Sequence, residues 1–512
     1  MSDQLKVLKY YIYYKYILPR TGCFRNRKAL RRRQAKRIGK HLAYVAERSP
    51  LYRGMRKLSS YPVIDKTFMM EHFQRLNTVG IRREEAEDFA VRAERDRDFA
   101  PKLRGVTVGL SSGTSGHRGI FLVSDEEKVR WAGYVLAKFL PGSILDSVDI
   151  AFFMRADSNL YQAVNSRRIR FHFFDIYRDM EEHIKRLEAL KPEVLVGQPS
   201  LLLMLGAEAK RGALRISPRV VISIAEVLER EDELYLKKVF RQKVIHQVYQ
   251  CTEGCLAATC ALGTLHLNED IVHIQREYLD GRRFVPIVTD FERKAQPVIR
   301  YRLNDILVER RQPCGCKSPC LALEKIEGRE DDMFSFLDGQ GREKLIFPDF
   351  IRRCILFAAG GEKTAPCADW EECRKKTAPC ADREECHEKT APCADREECR
   401  EKTAPYVDRE ECREKTVLYA GWESPREETG SRAGRKRRQS AREYRVVQSP
   451  DRSITVYGDL TAQERESVCR EFRKLAQDKG VVLPGIAFAP YDWEVGKKMK
   501  RIQRIMPKSE KE

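Results

Sequence analysis

The sequence predicts an α/β protein with a large layered N-terminal domain and a smaller α+β C-terminal domain. Three observations carry this. Between 106 and about 330, short runs of β-branched and aromatic residues ("DIAFFM", "IRFHFFDI", "EVLVGQ", "RVVISI", "VIHQVYQ") alternate with helical segments such as "DMEEHIKRLEALKP" and "EREDELYLKKVFRQ". That alternation specifies layers with mostly buried strands. Towards the end of the stretch, over 264–311, strands follow one another without helices, as in an antiparallel sheet. After "GREDD" at 328–332 a shorter unit begins, with strand runs around one helical segment, "TAQERESVCREFRKLAQDKG". At 512 residues the chain is long enough for two or three domains with a sizeable core.

The elements follow in order. The opening "LKVLKYYIYYKYIL" is apolar and aromatic but interrupted by Lys6, Lys9 and Lys15. It reads as an amphipathic helix docked on the domain, with a membrane surface as its alternative support. Without a small-residue cleavage site it does not read as a secretory signal. A second helix places Ile38, Leu42, Val45 and Ala46 on one face and ends at Pro50. Residues 1–105 form the helical part of the large domain and 106–330 its core. The small domain comprises 331–362 and 443–512, interrupted at 363–442.

The interruption is an internal repeat. "KTAPCADWEECRK", "KTAPCADREECHE", "KTAPCADREECRE" and "KTAPYVDREECRE" run consecutively from Lys363 to Glu414, and "KTVLYAGWESPRE" is a worn fifth unit. The units hold almost no hydrophobic side chains beyond Cys and Ala, and the proline in each of the first four opposes a long helix. A solvent-exposed, largely disordered or loosely helical insertion is expected, continuing into a basic linker to 442, with metal chelation by its C-x5-C pairs as the sharper alternative.

The net charge is +20, much of it in clusters at 25–37, 432–442 and 497–504. Solvated helix faces and linkers account for such clusters, so nucleic acid is not an expected partner; an anionic nucleotide or a membrane surface also fits. Of sixteen cysteines, seven lie in the repeat and six between 251 and 320. That is no disulfide framework, and a reducing cytoplasm is expected.

Five short motifs suggest chemistry. "GLSSGTSGHRG" at 109–119 combines glycines, which let a backbone wrap an anion, with hydroxyl donors, but it equally fits a polar hairpin turn. In "VYQCTEG" (248–254), Tyr249 can stack on a base, Thr252 can touch a phosphate and Glu253 can hold Mg²⁺; the same residues fit a strand-end turn. In "VIRYRLND" (298–305), Asp305 can accept two ribose hydroxyl hydrogen bonds. "IEGREDD" (326–332) sets an arginine and paired acids between the domains, and "VGKKMKR" offers a lysine near the C-terminus.

In this order and spacing the five motifs, with "AEVLE" at 225–229, resemble those of the adenylate-forming superfamily of acyl-CoA synthetases and luciferases. The closer likeness is to its phenylacetate–CoA ligase and coenzyme F synthetase-like branch. It extends over nearly the whole chain apart from the repeat. The resemblance implies an adenylation core with a mobile small domain. It implies ATP and a carboxylic acid combining to an acyl-adenylate and pyrophosphate, followed by transfer to CoA or another acceptor. Ser111, Ser112, Gly113, Thr114, Ser115 and Gly116 would hold the phosphates, and Ala225 and Glu226 would line the adenine and acyl site. Tyr249 would stack on adenine, Thr252 would touch the α-phosphate and Glu253 would bind Mg²⁺. Asp305 would hold the ribose, Arg329 would contact the nucleotide, and Asp331 would be the hinge. Lys498 would be the catalytic lysine, with Lys497 adjacent as the alternative. Arg155, Asn159 and Tyr161 fall where the family builds its acyl pocket.

Two departures stand out. His117-Arg118-Gly119 replaces the usual Pro-Lys-Gly end of the phosphate loop, and Leu303-Asn304 replaces Thr-Gly before Asp305. The cysteines supply a further element. Cys260 and His266, followed by Cys314 and Cys316, offer four ligands suited to a tetrahedral structural zinc site, with free buried thiols as the alternative. The competing functional reading is a catalytically inactive homologue that acts as a basic nucleotide- or nucleic-acid-binding interaction protein, motivated by the insertion within the small domain.

Overall fold

The computed structural model describes residues 3–96, 98–111, 118–140, 142, 146–154, 167–358, 443–491 and 500–506. The repeat segment lies outside these residues.

The chain opens with α1 (Asp3–Ile12), a π turn (Tyr13–Ile17), α2 (Leu18–Arg20) and α3 (Arg27–Arg48). Asn26 starts α3 by accepting a hydrogen bond from the Ala29 amide at 2.9 Å. Ile38, Leu42, Val45 and Ala46 are buried together on its inner face, as the sequence predicts. The first helical run is docked as expected, through Val7, Tyr11, Tyr14 and Leu18. Short helices α4 (Lys66–Glu71), α5 (Phe73–Leu76) and α6 (Arg83–Arg95) lead to the hairpin β1 (Val106–Leu110) and β2 (Ile120–Ser124). A reciprocal capping box between Ser124 and Glu127 starts α7 (Asp125–Phe139).

The α/β alternation follows: β3 (Val148–Met154), β4 (Ile169–Asp175), α8 (Met180–Leu190), β5 (Val194–Gly197), α9 (Pro199–Lys210), β6 (Val220–Ile224), α10 (Arg230–Val239) and β7 (Ile245–Cys251). The next strands are β8 (Gly254–Thr259), β9 (Leu265–Leu267), β10 (Val272–Tyr278), β11 (Arg283–Asp290), β12 (Val298–Arg302), β13 (Asp305–Glu309) and β14 (Ala322–Arg329).

These strands join in one mixed sheet, in the order β10-β11-β13-β14-β9-β8-β7-β6-β5-β3-β4, with β12 paired to β11. β4, β3, β5, β6 and β7 are parallel neighbours. From β7 onward every pairing is antiparallel. The parallel strands are covered on both faces. Ile150, Phe152, Val196 and Ile222 join the core shared with the N-terminal helices. Alternate residues Ala151, Phe153, Leu195 and Val221 pack with Leu187, Leu202, Leu205 and Leu236 of α8–α10.

The small unit contains the hairpin β15 (Phe334–Leu337) and β16 (Glu343–Ile346), then α11 (Pro348–Ala358), β17 (Arg445–Gln448), β18 (Ile454–Tyr457), α12 (Ala462–Lys479), β19 (Ile486–Ala489) and β20 (Ile502–Arg504). Its four-stranded sheet runs β19-β18-β17-β20. Phe334, Phe336, Ile351, Val446, Val456 and Phe472 form a separate core. A capping box from Thr461 and Glu464 begins α12, and Gly480, at φ 60°, ends it in the left-handed conformation. Arg501 grips Asp232 of α10 at 2.6 and 3.2 Å. Arg352 lies 2.7 Å from Glu229, which adds a second ionic tie between the two cores.

Candidate active site

The motif residues converge at the carboxyl end of the parallel strands, where open α/β sheets form ligand crevices. Ala225 and Glu226 follow β6, and Tyr249 to Glu253 end β7; the two strands are paired with Ile224 opposite Val248. Ala225 has φ 66°, a left-handed conformation costly for a residue with a Cβ, and the Glu226 amide donates to the Ile224 carbonyl at 2.8 Å. This tight turn lets the Glu226 carboxylate accept a bond from the Ser200 amide, 3.2 Å away in the first turn of α9.

On the antiparallel side, Asp305 opens β13 opposite Arg329 at the end of β14. The Arg329 guanidinium lies 3.4 Å from the Asp305 carboxylate. The Tyr249 hydroxyl donates to the other Asp305 oxygen at 2.5 Å. Tyr249 is 9 % exposed, and burial pushes its phenol pKa well up, with the Asp305 charge adding to the effect. The residue keeps its proton and holds the carboxylate in place. Asp331 lies in a 3₁₀ turn (Glu330–Asp332) after β14 and accepts a 2.6 Å bond from the Asn304 side chain. Asp332 meets Lys500 at 3.2 Å.

Thr252 and Glu253 sit in the turn between β7 and β8. The Arg293 guanidinium donates to the Thr252 carbonyl at 2.9 Å. Burial raises the Tyr301 pKa far above its ordinary value, and the nearby Glu253 carboxylate reinforces the shift. Gly254 follows because its backbone passes the Asp290 carboxyl so closely that a methyl group there would lie 2.8 Å from Oδ2.

Sequence reasoning missed Lys66. Ile64 bridges to Tyr301 of β12, with its amide 3.1 Å from the Arg300 carbonyl and its carbonyl 2.7 Å from the Arg302 amide. Asp65 caps α4 through the Phe68 amide at 2.9 Å. Lys66 thereby rests against the base of the 109–119 loop: a methyl group on Gly119 would lie 3.2 Å from its Cε and 3.5 Å from the Ser111 hydroxyl. Burial lowers the Lys66 ammonium pKa, Glu253 opposes that shift and Arg329 adds to it. The lysine therefore lies within electrostatic reach of two predicted site residues. The only sequence signal was a capped Asp-Lys pair, which carries no chemistry alone.

The loop itself is the connection of the β1–β2 hairpin, so the turn and phosphate-holding readings concern the same element. Ser111 ties its neck: its hydroxyl accepts from the Gly119 amide at 2.7 Å and its own amide donates to the Gly119 carbonyl at 2.7 Å. Arg118, which stands at the usual lysine position, is clamped by Glu94 through two 2.5 Å bonds and donates to the Ser111 carbonyl at 2.9 Å. Ser112, Gly113, Thr114, Ser115 and Gly116 lie outside the described residues, as do Arg155, Asn159, Tyr161, Lys497 and Lys498.

At the opposite end of β8, Cys260, His266, Cys314 and Cys316 bring one ligand atom each within 4.8 Å of one another. The Cys260 and Cys314 sulfurs are 3.8 Å apart, and the Cys316 sulfur is 3.3 Å from His266 Nε2. Tetrahedral ligation with metal–sulfur bonds near 2.3 Å requires edges of about these lengths. His266 Nδ1 lies 3.1 Å from the Cys320 carbonyl, which fixes the ring with Nε2 facing the cluster.

Comparison with solved structures identifies the architecture. The fold is that of the adenylate-forming ligases. Two structures of 2-hydroxyisobutyryl-CoA ligase in the postadenylation state, with 2-HIB-AMP and with R3-HIB-AMP, each align over 94 % of this chain and 89 % of theirs, at a TM-score of 0.56 and 14 % identity. In sequence, the chain is similar to the indoleacetate–lysine synthetase of Pseudomonas savastanoi, 26 % identical over 171 residues. That match spans 32 % of this chain and 40 % of the relative's length. No family model matches the chain.

Proposed function

We propose that the protein is an ATP-dependent adenylate-forming ligase of the phenylacetate–CoA ligase type. A carboxylate oxygen attacks the α-phosphorus of ATP, the bond to the leaving pyrophosphate breaks, and an acyl-adenylate forms. A nucleophilic acceptor then attacks the acyl carbon and AMP leaves. The thiol of CoA is the acceptor favoured here. The observation that carries this reading is the convergence of Tyr249, Asp305, Arg329, Glu253 and Lys66, from three strands, the β7–β8 turn and α4, beside the base of the 109–119 loop. The relatives support it: the solved ligase holds an acyl-AMP, and the curated one joins an acid to an amine by its name.

Each residue then has a task. Asp305, fixed by Tyr249 and Arg329, accepts the two ribose hydroxyls, while the Tyr249 ring flanks the base. Ser111 to Gly116 would hold the phosphates, Thr252 would meet the α-phosphate, and Glu253 would bind a Mg²⁺ that neutralises phosphate charge. Ala225 and Glu226 border the acyl site, for which Arg155, Asn159 and Tyr161 are the candidate pocket residues. Charge accumulates on the α-phosphate and pyrophosphate in the transition state, so positioned cations provide the main rate enhancement. With Arg118 committed to Glu94, Lys66 supplies the loop's cation, and Lys498 arrives from the small domain. Asp331 is the hinge.

The Cys260–His266–Cys314–Cys316 cluster fits a structural zinc. All four ligand positions belong to protein, which closes the site to catalysis and pins the β13–β14 loop to the β8–β9 turn.

The test is pyrophosphate exchange into ATP across a panel of aryl and short aliphatic acids. Acid-dependent exchange that is abolished by Glu253→Gln is the expected result. Binding of ATP without exchange for any acid would overturn the proposal.

A further inference from the structure

We propose that the protein docks on the surface of an anionic phospholipid bilayer through its first helical run and the outer face of α3. The inference does not depend on the adenylation chemistry.

The first run is apolar on both sides. Val7, Tyr11, Tyr14 and Leu18 face the core. On the other side Leu5, Ile12, Tyr16 and Ile17 are 54, 39, 38 and 50 % exposed. Leu5, Ile12 and Tyr16 follow the seven- and four-residue spacing of one helical stripe. The π turn over Tyr13–Ile17 brings Ile17 out beside Tyr16. Core packing explains the first face and leaves the second unexplained. The stripe is bordered by exposed Lys9 and Arg20, and the Arg20 guanidinium sits 6.0 Å from the Tyr16 ring centre.

A basic surface continues from this stripe. Six residues, Thr21 to Asn26, connect α2 to α3, and Arg33 of α3 reaches the Tyr13 hydroxyl at 3.4 Å. The outer face of α3 carries Lys28, Arg31, Arg32, Lys36 and Lys40, all exposed. Among the described residues none of these five pairs with a carboxylate. Arg27 and Arg31 then line a cleft of about 510 Å³ together with Arg276, Arg310, Arg311 and Lys317. Its carboxylate Glu309 pairs with Arg276, and neighbouring Glu269 pairs with Arg27.

Isoleucine, leucine and tyrosine on a fixed helix, edged by unpaired cations, match the acyl–headgroup boundary of an anionic bilayer. Nucleic acid would satisfy the cations but leave the apolar stripe in water. The buried face anchors the helix, so insertion is limited to side-chain depth.

The experiment is co-sedimentation of the full-length protein with phosphatidylcholine vesicles, with and without about 30 mol% phosphatidylglycerol. Variants Ile12→Ser/Ile17→Ser and Arg31→Glu/Arg32→Glu alter exposed positions, and thermal melts check that both remain folded. The basic cluster at 432–442 is unchanged in each, so its contribution stays constant. Wild type should partition at least about tenfold better onto the anionic vesicles, and each double variant should lose about tenfold or more. Equal partition onto both vesicle types would overturn the proposal. So would retention of binding by the Ile12/Ile17 variant with displacement by a short DNA duplex, which would assign the surface to nucleic acid. Solution pyrophosphate exchange should be the same in both variants, so failure here is distinguishable from failure of the proposed activity.

Discussion

The Tyr249 hydroxyl and the Asp305 carboxylate meet at 2.5 Å, joining the last parallel strand of the sheet to its antiparallel half. The bond spans 56 residues of sequence, and with Arg329 it leaves the carboxylate oriented before any ligand arrives. Tyr249→Phe should lower the kcat/KM of pyrophosphate exchange for ATP by about tenfold to a hundredfold, the weight of a hydrogen bond to a charged group. ATP titrations at saturating acid would show this as a raised KM. An unchanged KM would detach the pair from nucleotide binding.

Lys66 gives the second prediction. Lys66→Ala should reduce the exchange rate by about a hundredfold, as for removal of a positioned electrostatic contact. Lys66→Arg should restore part of it. The melting temperature should barely move, because the side chain is only half-buried.

At Gly254 the limit is steric. A methyl group would approach Asp290 Oδ2 to 2.8 Å, and Asp290 is itself buried. Gly254→Ala should destabilise the fold by about 1–3 kcal/mol, measured by urea unfolding, and should displace Glu253 enough to depress exchange further.

For the cysteine cluster, the purified protein should carry one zinc per chain by atomic absorption. Cys316→Ser should lose that metal and lower the melting temperature by several degrees, since the site joins two otherwise separate loops. Exchange at low temperature should persist.

The fifth prediction concerns pH. His41 is buried in α3, neither ring nitrogen has a hydrogen-bond partner among the described residues, and burial, with Lys294 and Arg37, holds its pKa at about 3. The unfolded chain takes up the proton near the ordinary 6.5. This contribution to stability is therefore complete above pH 6.5 and is lost as pH falls towards 3. His41→Phe should flatten that part of the acid-stability profile, read as urea midpoints between pH 7 and 4.

Local pattern was enough for the α/β alternation, the antiparallel strands from β9 to β13, the Ile38–Ala46 helix face and the ligand spacing of Cys314 and Cys316. Each depends on neighbours along the chain: strand period, helix period or a two-residue step. The same logic placed Tyr249 in a strand-end motif and singled out Asp305 as a ribose acceptor. It could not show that they touch, because contact depends on the sheet order that inserts β8, β9 and β14 between β7 and β13.

Tertiary structure alone decided the partners. Lys66 belongs to the site because Ile64 bridges to Tyr301, a pairing across more than two hundred residues that no local period encodes. Arg118 is paired with Glu94 on α6, and Arg501, three residues after the expected catalytic lysine Lys498, is held by Asp232 of the large domain. Charges act through space and are screened or strengthened by burial, so their roles follow from packing. By itself the sequence determined which chemistries were on offer and at which strand ends; the fold decided which side chains meet there.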